Sequence, residues 1–143
     1  MLQIRQSTPE DAAALARLVT DLGYPVDPAG MAARLGSLSP DHRTLVAEVD
    51  GQIAGFIGMV KFPIYEASAP IGYILALSVS PAHQGQGIGR ALMAAAEQCF
   101  LDLGVRDVRV TSGLHRPEAH GFYEALGYAK TGYRFRKVLD AAS

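Results

Sequence analysis

The sequence has few of the features that mark specialised classes of protein. It contains one cysteine, Cys99, which excludes an intrachain disulfide and a zinc site built from cysteines. It has no apolar run of about 18 residues, so no transmembrane helix is expected, and the N-terminal residues lack the apolar stretch of a signal peptide. The net charge of −1 provides no general attraction to nucleic acid or to an anionic membrane. We therefore expect a cytoplasmic protein without nucleic-acid or membrane partners.

The composition is that of a globular protein. Hydrophobic residues make up 49% of the 143 residues and charged residues 19%. A chain of this length usually forms one domain whose core needs no disulfide and no metal. The sequence contains no repeat, no low-complexity stretch and no linker. It therefore predicts a single domain over residues 1–143.

Hydrophobic periodicity and turn signals give the order of the secondary structure. The predicted elements are a short strand around Leu2 and Ile4, helices at 9–22 and 28–36, a hairpin of strands 44–49 and 52–61, a strand at 71–80 buried on both faces, a helix at 88–103, a strand containing Val105, Val108 and Val110, a helix at 117–127, and a last strand or hairpin at 128–138. This order predicts an α/β fold of the mixed, α+β type, with helices on both faces of the sheet.

A glycine-rich turn follows the buried strand and opens a helix. Gly85, Gly87 and Gly89 let the backbone approach a ligand closely, and the N–H groups at the start of the helix favour an anion such as a phosphate. The turn does not fit the Walker pattern, because the chain has no Lys-Ser or Lys-Thr pair. It does not fit the dinucleotide pattern either, because Arg90 stands where the third glycine is needed. An ATP-binding domain is the alternative function for this turn, and it lacks the lysine of the Walker pattern.

Two segments resemble motifs of one enzyme superfamily. The run Gln84-Gly85-Gln86-Gly87-Ile88-Gly89 resembles the pyrophosphate-binding motif Q/R-x-x-G-x-G/A of the GNAT N-acetyltransferases. The strand residues 77–81 before it are similar to the strand that leads into that motif. Downstream, residues 119–128 are similar to the family segment A-x-x-F-Y-x-x-x-G-[FY]. The resemblance implies the acyl-CoA N-acyltransferase fold, with a mostly antiparallel N-terminal sheet and a splayed central strand.

The resemblance also implies a function and a set of site residues. It implies an acyl-CoA donor, usually acetyl-CoA, and an amine acceptor, which is a small molecule or a peptide. Because the sequence shows no Ser–His–Asp or Cys–His arrangement, we expect direct transfer without a covalent enzyme intermediate and without a metal. Tyr123 matches the general acid that assists the departing thiolate. The positions that match the cofactor site are Leu77, Ser78 and Val79 for the pantetheine arm, and Gln84, Gly85, Gln86, Gly87, Ile88, Gly89 and Arg90 for the pyrophosphate. Arg116 either reaches a CoA phosphate or caps the helix that begins at Pro117.

The sequence departs from the family at two positions. Arg116 stands where the family often has asparagine, and the other departure bears on the mechanism. Leu75 stands where many members place a glutamate in the strand before the turn. Three candidates therefore remain for the group that accepts the proton of the amine: a water chain, Glu66 and His115. The missing glutamate also leaves open a second function, that of an acyl-CoA-binding sensor without catalysis. The identity of the acceptor is open, and a homodimer formed through the last strands is expected only by family analogy.

Overall fold

A computed structural model of the chain describes residues 1–112 and 117–140. Its contacts divide the chain into two units, Met1–Val110 and Thr111–Ser143. The prediction of a single domain over residues 1–143 stays a prediction. The first unit contains strands β1 (Leu2–Gln6), β2 (His42–Val49), β3 (Gln52–Phe62), β4 (Ile71–Val79) and β5 (Val108–Val110), and helices α1 (Ala12–Asp21), α2 (Pro28–Gly36) and α3 (Ile88–Asp102). The second unit contains helix α4 (Pro117–Ala125).

The five strands form one sheet in the order β1-β2-β3-β4-β5. The first three pairs of neighbours are antiparallel, and β4 pairs with β5 in parallel. The β2–β3 hairpin turns through Asp50 and Gly51, whose φ angles of 51° and 81° are those of a type I′ turn. The mixed sheet predicted from the sequence is confirmed, as is the tight Asp-Gly turn.

Helices cover both faces of the sheet in the first unit. Phe56 of β3 packs into a buried cluster with residues of α1, α2 and β2, namely Leu15, Ala16, Leu18, Met31 and Val46. The adjacent Gly55 points to the opposite face, because successive residues of a strand alternate. A Cβ atom at Gly55 would lie 3.3 Å from Leu92 and 3.4 Å from Ile88, so α3 covers that face. The predicted arrangement of helices on both faces is therefore confirmed.

Three helices end in the same hydrogen-bonded turn. In α3 the Val105 N–H donates to the Phe100 carbonyl over 2.8 Å, and Gly104 has a φ of 78°. Gly23 after α1 and Gly127 after α4 have φ angles of 103° and 94° and lie in equivalent turns. Glycine adopts this left-handed conformation at the lowest cost, which is why it stops helices there. The glycine stops that the sequence predicts for α1 and α3 are confirmed.

The structure corrects three expectations about strands. Residues 128–138 form no strand, and the side chains of Tyr133 and Phe135 are 78% and 92% exposed. A strand is stable only beside a hydrogen-bonded neighbour, and this segment pairs with none of the strands described here. Val105 lies before β5, buried as the residue that closes the turn after α3. Strand β4 is not buried along its whole length, since Leu75 is 53% exposed.

Candidate functional site

One edge of β4 is open over the second half of the strand. Strand β5 pairs only with Gly72, Tyr73 and Ile74. Strand β3 pairs with β4 on the other side as far as Val79. Within the residues that the structure describes, no strand therefore pairs with the β5 side of β4 from Leu75 to Val79. The pairing of β4 with β5 thus ends at Ile74, in the strand that the family resemblance implies is splayed.

A bulge at Leu75 determines which backbone groups face the open edge. Gly58 is opposite Ala76 and Met59 is opposite Ile74, so Leu75 is an extra residue in β4. Before the bulge, Gly72 faces β5, because its N–H donates to the Asp107 carbonyl over 2.9 Å. After the bulge, the alternation along the strand is shifted by one residue. Before the bulge the backbone groups of even-numbered residues face the β5 side of β4, and after the bulge those of odd-numbered residues do.

The residue after β4 confirms this alternation. The Ser80 N–H donates to the Ala54 carbonyl of β3 over 2.7 Å. In an antiparallel ladder every second residue bonds to the same neighbour, so Ser78 also directs its backbone groups to β3. The N–H groups of Leu77 and Val79 consequently face the open edge. The Ser78 hydroxyl points to the helix layer that contains α1, where it donates to the Leu18 carbonyl over 3.1 Å.

The glycine-rich turn connects the end of β4 to the N-terminus of α3. Gly85 and Gly87 have φ angles of 80° and 79°, which disfavour residues with a side chain. Gly87 is the N-cap of α3, and buried Ile88 fixes the first turn against Gly55. The N–H groups of the first helical turn have no carbonyl partner within the helix, and the helix dipole makes this end positive. The turn is therefore suited to hold an anionic group.

The residues around the turn are exposed and include a cation. Gln84, Gln86 and Arg90 are exposed, whereas Gly89 is partly buried. The Gln84 side-chain amide donates to the Val79 carbonyl over 3.4 Å. The Val79 N–H and both backbone groups of Leu77 thus remain directed at the open edge. An extended ligand with an anionic end can bind the strand edge and the helix N-terminus together.

Tyr123 lies in the second unit, in the last turns of α4. The Tyr128 N–H donates to the Tyr123 carbonyl over 3.0 Å, and the two rings contact edge to face at 6.1 Å. Gly127 allows this turn, which gives a physical reason for the Y-x-x-x-G-Y spacing. The Tyr123 side chain is half-buried, and Phe122 contacts it at a ring distance of 5.3 Å. Arg116 and His115 lie outside the described residues.

The open candidates for a proton acceptor differ in their surroundings. Glu66 is exposed on the loop between β3 and β4. Its charge acts on Arg109 of β5, whose pKa is raised first by the Asp107 carboxylate 3.3 Å away and to a smaller extent by Glu66. Leu75 supplies no titratable group at the bulge. Among residues 1–112 and 117–140, no cluster of three His, Cys, Asp or Glu side chains forms a possible metal site.

A cleft of about 780 Å³ extends from the start of α1 to the entry of the glycine-rich turn, where residues 80–83 line it. Arg5 forms a two-point ion pair with Asp11, at 2.8 and 3.0 Å, and also bonds to Glu48. The Arg5 guanidinium and the Thr8 N–H hold the pKa of the buried Asp11 carboxyl below its usual range. These groups satisfy one another, so this part of the cleft wall contributes to stability. Sequence reasoning missed this network, because its members come from three separate elements.

Sequence reasoning also missed a contact at the entry to the glycine turn. Ser80 and His83 bond to each other through their side chains over 2.7 Å, and His83 is half-buried. The signal that was available is a serine before a proline, with the histidine three residues after the serine, which is the spacing of a capped turn.

Comparison with known proteins matches both the sequence and the fold. The model of the acetyltransferase (GNAT) family matches residues 12–128. An aminoalkylphosphonate N-acetyltransferase from Salmonella typhimurium is 32% identical, over 96% of this chain and 91% of the relative. An aminoglycoside N(6')-acetyltransferase type 1 from Stenotrophomonas maltophilia is 33% identical, over 90% of this chain and 86% of the relative.

Solved structures agree with this match. The crystal structure of a GNAT family acetyltransferase from Staphylococcus aureus superposes with a TM-score of 0.83 and 26% identity, over 96% of this chain and 98% of that one.

None of the helices in the described parts of the chain is both long enough and apolar enough to cross a membrane. Because the family model covers most of the chain and relatives above 30% identity match nearly all of it, the chain belongs to the GNAT family of N-acetyltransferases.

Proposed function

We propose that this enzyme transfers the acetyl group of acetyl-CoA to the primary amine of a small molecule, by direct attack of the amine on the thioester. The observation that carries this proposal is the open edge of β4 that ends at the N-terminus of α3. The GNAT family uses acetyl-CoA as its acetyl donor. Acetyl-CoA combines an amide-containing arm with a diphosphate. The arm matches the unpaired backbone groups along the edge of β4, and the diphosphate matches the N–H groups at the start of α3.

The cofactor arm lies along β4 in this proposal. Leu77 and Val79 offer backbone groups to the pantetheine amides, as an added strand would use them. The turn from Gln84 to Arg90 receives the diphosphate on its N–H groups. Arg90, exposed in the first turn of α3, adds a positive charge there. Arg116 is the matching candidate for a further phosphate contact.

The chemistry requires two charges to be stabilised. When the amine attacks, the thioester oxygen gains negative charge, and the Val79 N–H is the proposed donor to it. When the carbon–sulfur bond breaks, the sulfur leaves as a thiolate unless it receives a proton. Tyr123 is the proposed donor of a proton or a hydrogen bond to that sulfur, because a developing thiolate leaves more easily when a phenol O–H donates to it.

The acceptor is a small primary amine in this proposal. Two relatives that match most of the chain are named for aminoalkylphosphonates and for aminoglycosides, and both compounds carry primary amines. The amine must be neutral to attack, and an alkyl amine with a pKa of about 10.4 is almost fully protonated at pH 7. Glu66, His115 or a chain of waters along the open edge is the proposed route for that proton.

A panel of amines tests the proposal. The purified protein is incubated with acetyl-CoA and with aminoalkylphosphonates, aminoglycosides, polyamines, amino acids and short peptides in separate reactions. Thiol release measures turnover, and mass spectrometry detects a gain of one acetyl group on the amine. Amine-dependent thiol release with an acetylated product supports the proposal. Binding of acetyl-CoA without turnover on any amine would favour the sensor function instead.

The assembly and location of the enzyme belong to the same proposal. A cytoplasmic homodimer is expected from the sequence and from family analogy. Sedimentation of the purified protein over a range of concentrations measures the oligomeric state. A sedimenting mass of one 15.2 kDa chain at all concentrations would exclude the homodimer.

A further inference from the structure

A pair of side chains ties together the two ends of the short helical turn that leads into the glycine turn. This turn spans Pro81–His83, with Ser80 as its N-cap. The Ser80 hydroxyl and the His83 Nδ1 atom lie 2.7 Å apart, and the His83 N–H donates to the Ser80 carbonyl over 2.9 Å. Two bonds thus join the same two residues, one through the side chains and one through the backbone.

The Ser80–His83 pair is itself anchored to the sheet. The Ser80 N–H donates to Ala54 of β3 over 2.7 Å, so Ser80 is held on both sides. Pro81 restricts the backbone between the paired residues, because its ring fixes φ. The chain is therefore fixed as far as His83, two residues before Gly85.

The segment after His83 needs such an anchor. Gly85 and Gly87 both have positive φ angles, and glycine loses more conformational freedom on ordering than any other residue. If this segment were mobile in the free protein, a ligand that binds its N–H groups would have to order it, and the lost entropy would lower the affinity. The far end of the segment is already fixed by buried Ile88. The near end is fixed by the Ser80–His83 pair.

We infer that His83 is a positioning residue for diphosphate binding: its bond to Ser80 holds the entry of the glycine turn, so that the turn binds the diphosphate of CoA without first having to order. This inference rests on the proposed function. His83 itself does not contact the acetyl group or the amine in this scheme. Its loss therefore affects the half of the donor that carries phosphates and spares the half that carries the thioester.

Two acetyl donors separate this role from a general structural one. Acetyl-CoA contains the diphosphate, and S-acetylpantetheine contains the same arm and thioester without it. For His83→Ala we expect kcat/KM with acetyl-CoA to fall about fivefold, as for the loss of one net hydrogen bond. The fall should come from KM with kcat unchanged. With S-acetylpantetheine, kcat/KM should equal that of the wild type.

Matched variants identify the bond as the cause. Ser80→Ala removes the same bond and should have the same effect, and the double variant should be no worse than either single one. His83→Asn keeps a side-chain acceptor near the position of Nδ1 and should restore most of the affinity. Thermal unfolding of each variant reports on folding independently of the donor.

The outcomes decide between the two proposals. An equal loss with both donors, an unchanged KM for acetyl-CoA, or additive effects of the two single variants would overturn the role of His83 while leaving the proposed function intact. A wild-type protein that neither binds CoA nor acetylates any amine would overturn both. Selective loss with acetyl-CoA, shared by the two alanine variants and relieved in His83→Asn, supports the inference.

Discussion

The backbone N–H of Ser80 donates to the carbonyl of Ala54 over 2.7 Å, and this bond sets the direction of the backbone groups before it. With Ser78 and Ser80 facing β3, Leu77 and Val79 face the open edge of β4. The same bond anchors the entry to the glycine turn. One contact between β3 and the residue that follows β4 therefore links the proposed site of the thioester to the proposed site of the diphosphate.

The backbone N–H of Val79 can be removed without changing a side chain. Replacing Val79 by its α-hydroxy acid counterpart converts the amide to an ester and deletes the proposed donor to the thioester oxygen. We expect kcat to fall by about 10²-fold or more, as for loss of one oxyanion donor in other acyl transfers, with little loss of stability. Steady-state kinetics and thermal unfolding measure the two effects.

The same replacement at Ser78 is the matched control. Its N–H is directed at β3, so the ester should lower the melting temperature and affect kcat much less. If the Ser78 ester lowers kcat as much as the Val79 ester, the assignment of the two residues to opposite edges is wrong.

Gly87 is expected to matter for the donor rather than for folding alone. Gly87→Ala places a side chain at a φ of 79° and should cost about 1 kcal/mol of stability. It should also raise KM for acetyl-CoA, because the strained turn no longer presents its N–H groups in the same direction. Gly104→Ala at the other end of α3 is the control, since its φ is 78° and a Cβ there also meets no atom within 4 Å. Equal KM values for acetyl-CoA in the two variants would show that Gly87 has no specific role in binding the donor.

Tyr123 is expected to act on the leaving sulfur. Tyr123→Phe keeps the ring that packs against Tyr128 and removes only the hydroxyl. We expect kcat to fall by about 10²-fold, a typical contribution of a general acid, while the dissociation constant of CoA stays within about twofold of the wild-type value. Steady-state assays of thiol release measure kcat, and calorimetric titration with CoA measures the dissociation constant. Unchanged turnover would remove Tyr123 from the mechanism.

The ion pair between Arg5 and Asp11 should make stability depend on pH. Because folding lowers the pKa of Asp11, its carboxylate stabilises the protein above the ordinary carboxyl pKa of about 3.9, and this contribution is lost as the pH falls through the lowered value. Asp11→Asn should cost about 2 kcal/mol at pH 7. The difference from the wild type should shrink below about pH 4.

Denaturant unfolding at pH 7 and pH 3 measures the effect of Asp11. Asp21→Asn, which changes an exposed carboxyl at the other end of α1, is the control and should shift stability by less than about 0.5 kcal/mol. A deficit for Asp11→Asn that is the same at both pH values would contradict the ion-pair account.

Much of the fold could be predicted from the sequence, because its signals are local. The Asp50-Gly51 turn, the stop at Gly104 and the glycine-rich start of α3 each depend on a few neighbouring residues. The bulge at Leu75 could not be predicted, because it is a property of the register between β3 and β4. The run of apolar residues through β4 indicated a strand buried on both faces, but burial depends on how far β5 extends beside it.

The candidate site was predictable to a similar extent. The turn residues stand out through their glycines and through the family motif. The direction of the Leu77 and Val79 backbone groups follows from the Ser80–Ala54 bond, which no side chain in the sequence reports. The last segment, residues 128–138, has the alternation of a strand, yet alternation does not supply a hydrogen-bonding partner.

We expect CoA to bind along the open edge of β4 and on the N–H groups of the glycine turn. Amide NMR of the 15N-labelled protein titrated with CoA tests it residue by residue. The largest chemical-shift changes are expected at Leu77, Val79 and residues 84–90. Shifts confined to the cleft around Arg17 and Asp21, with residues 84–90 unchanged, would contradict it.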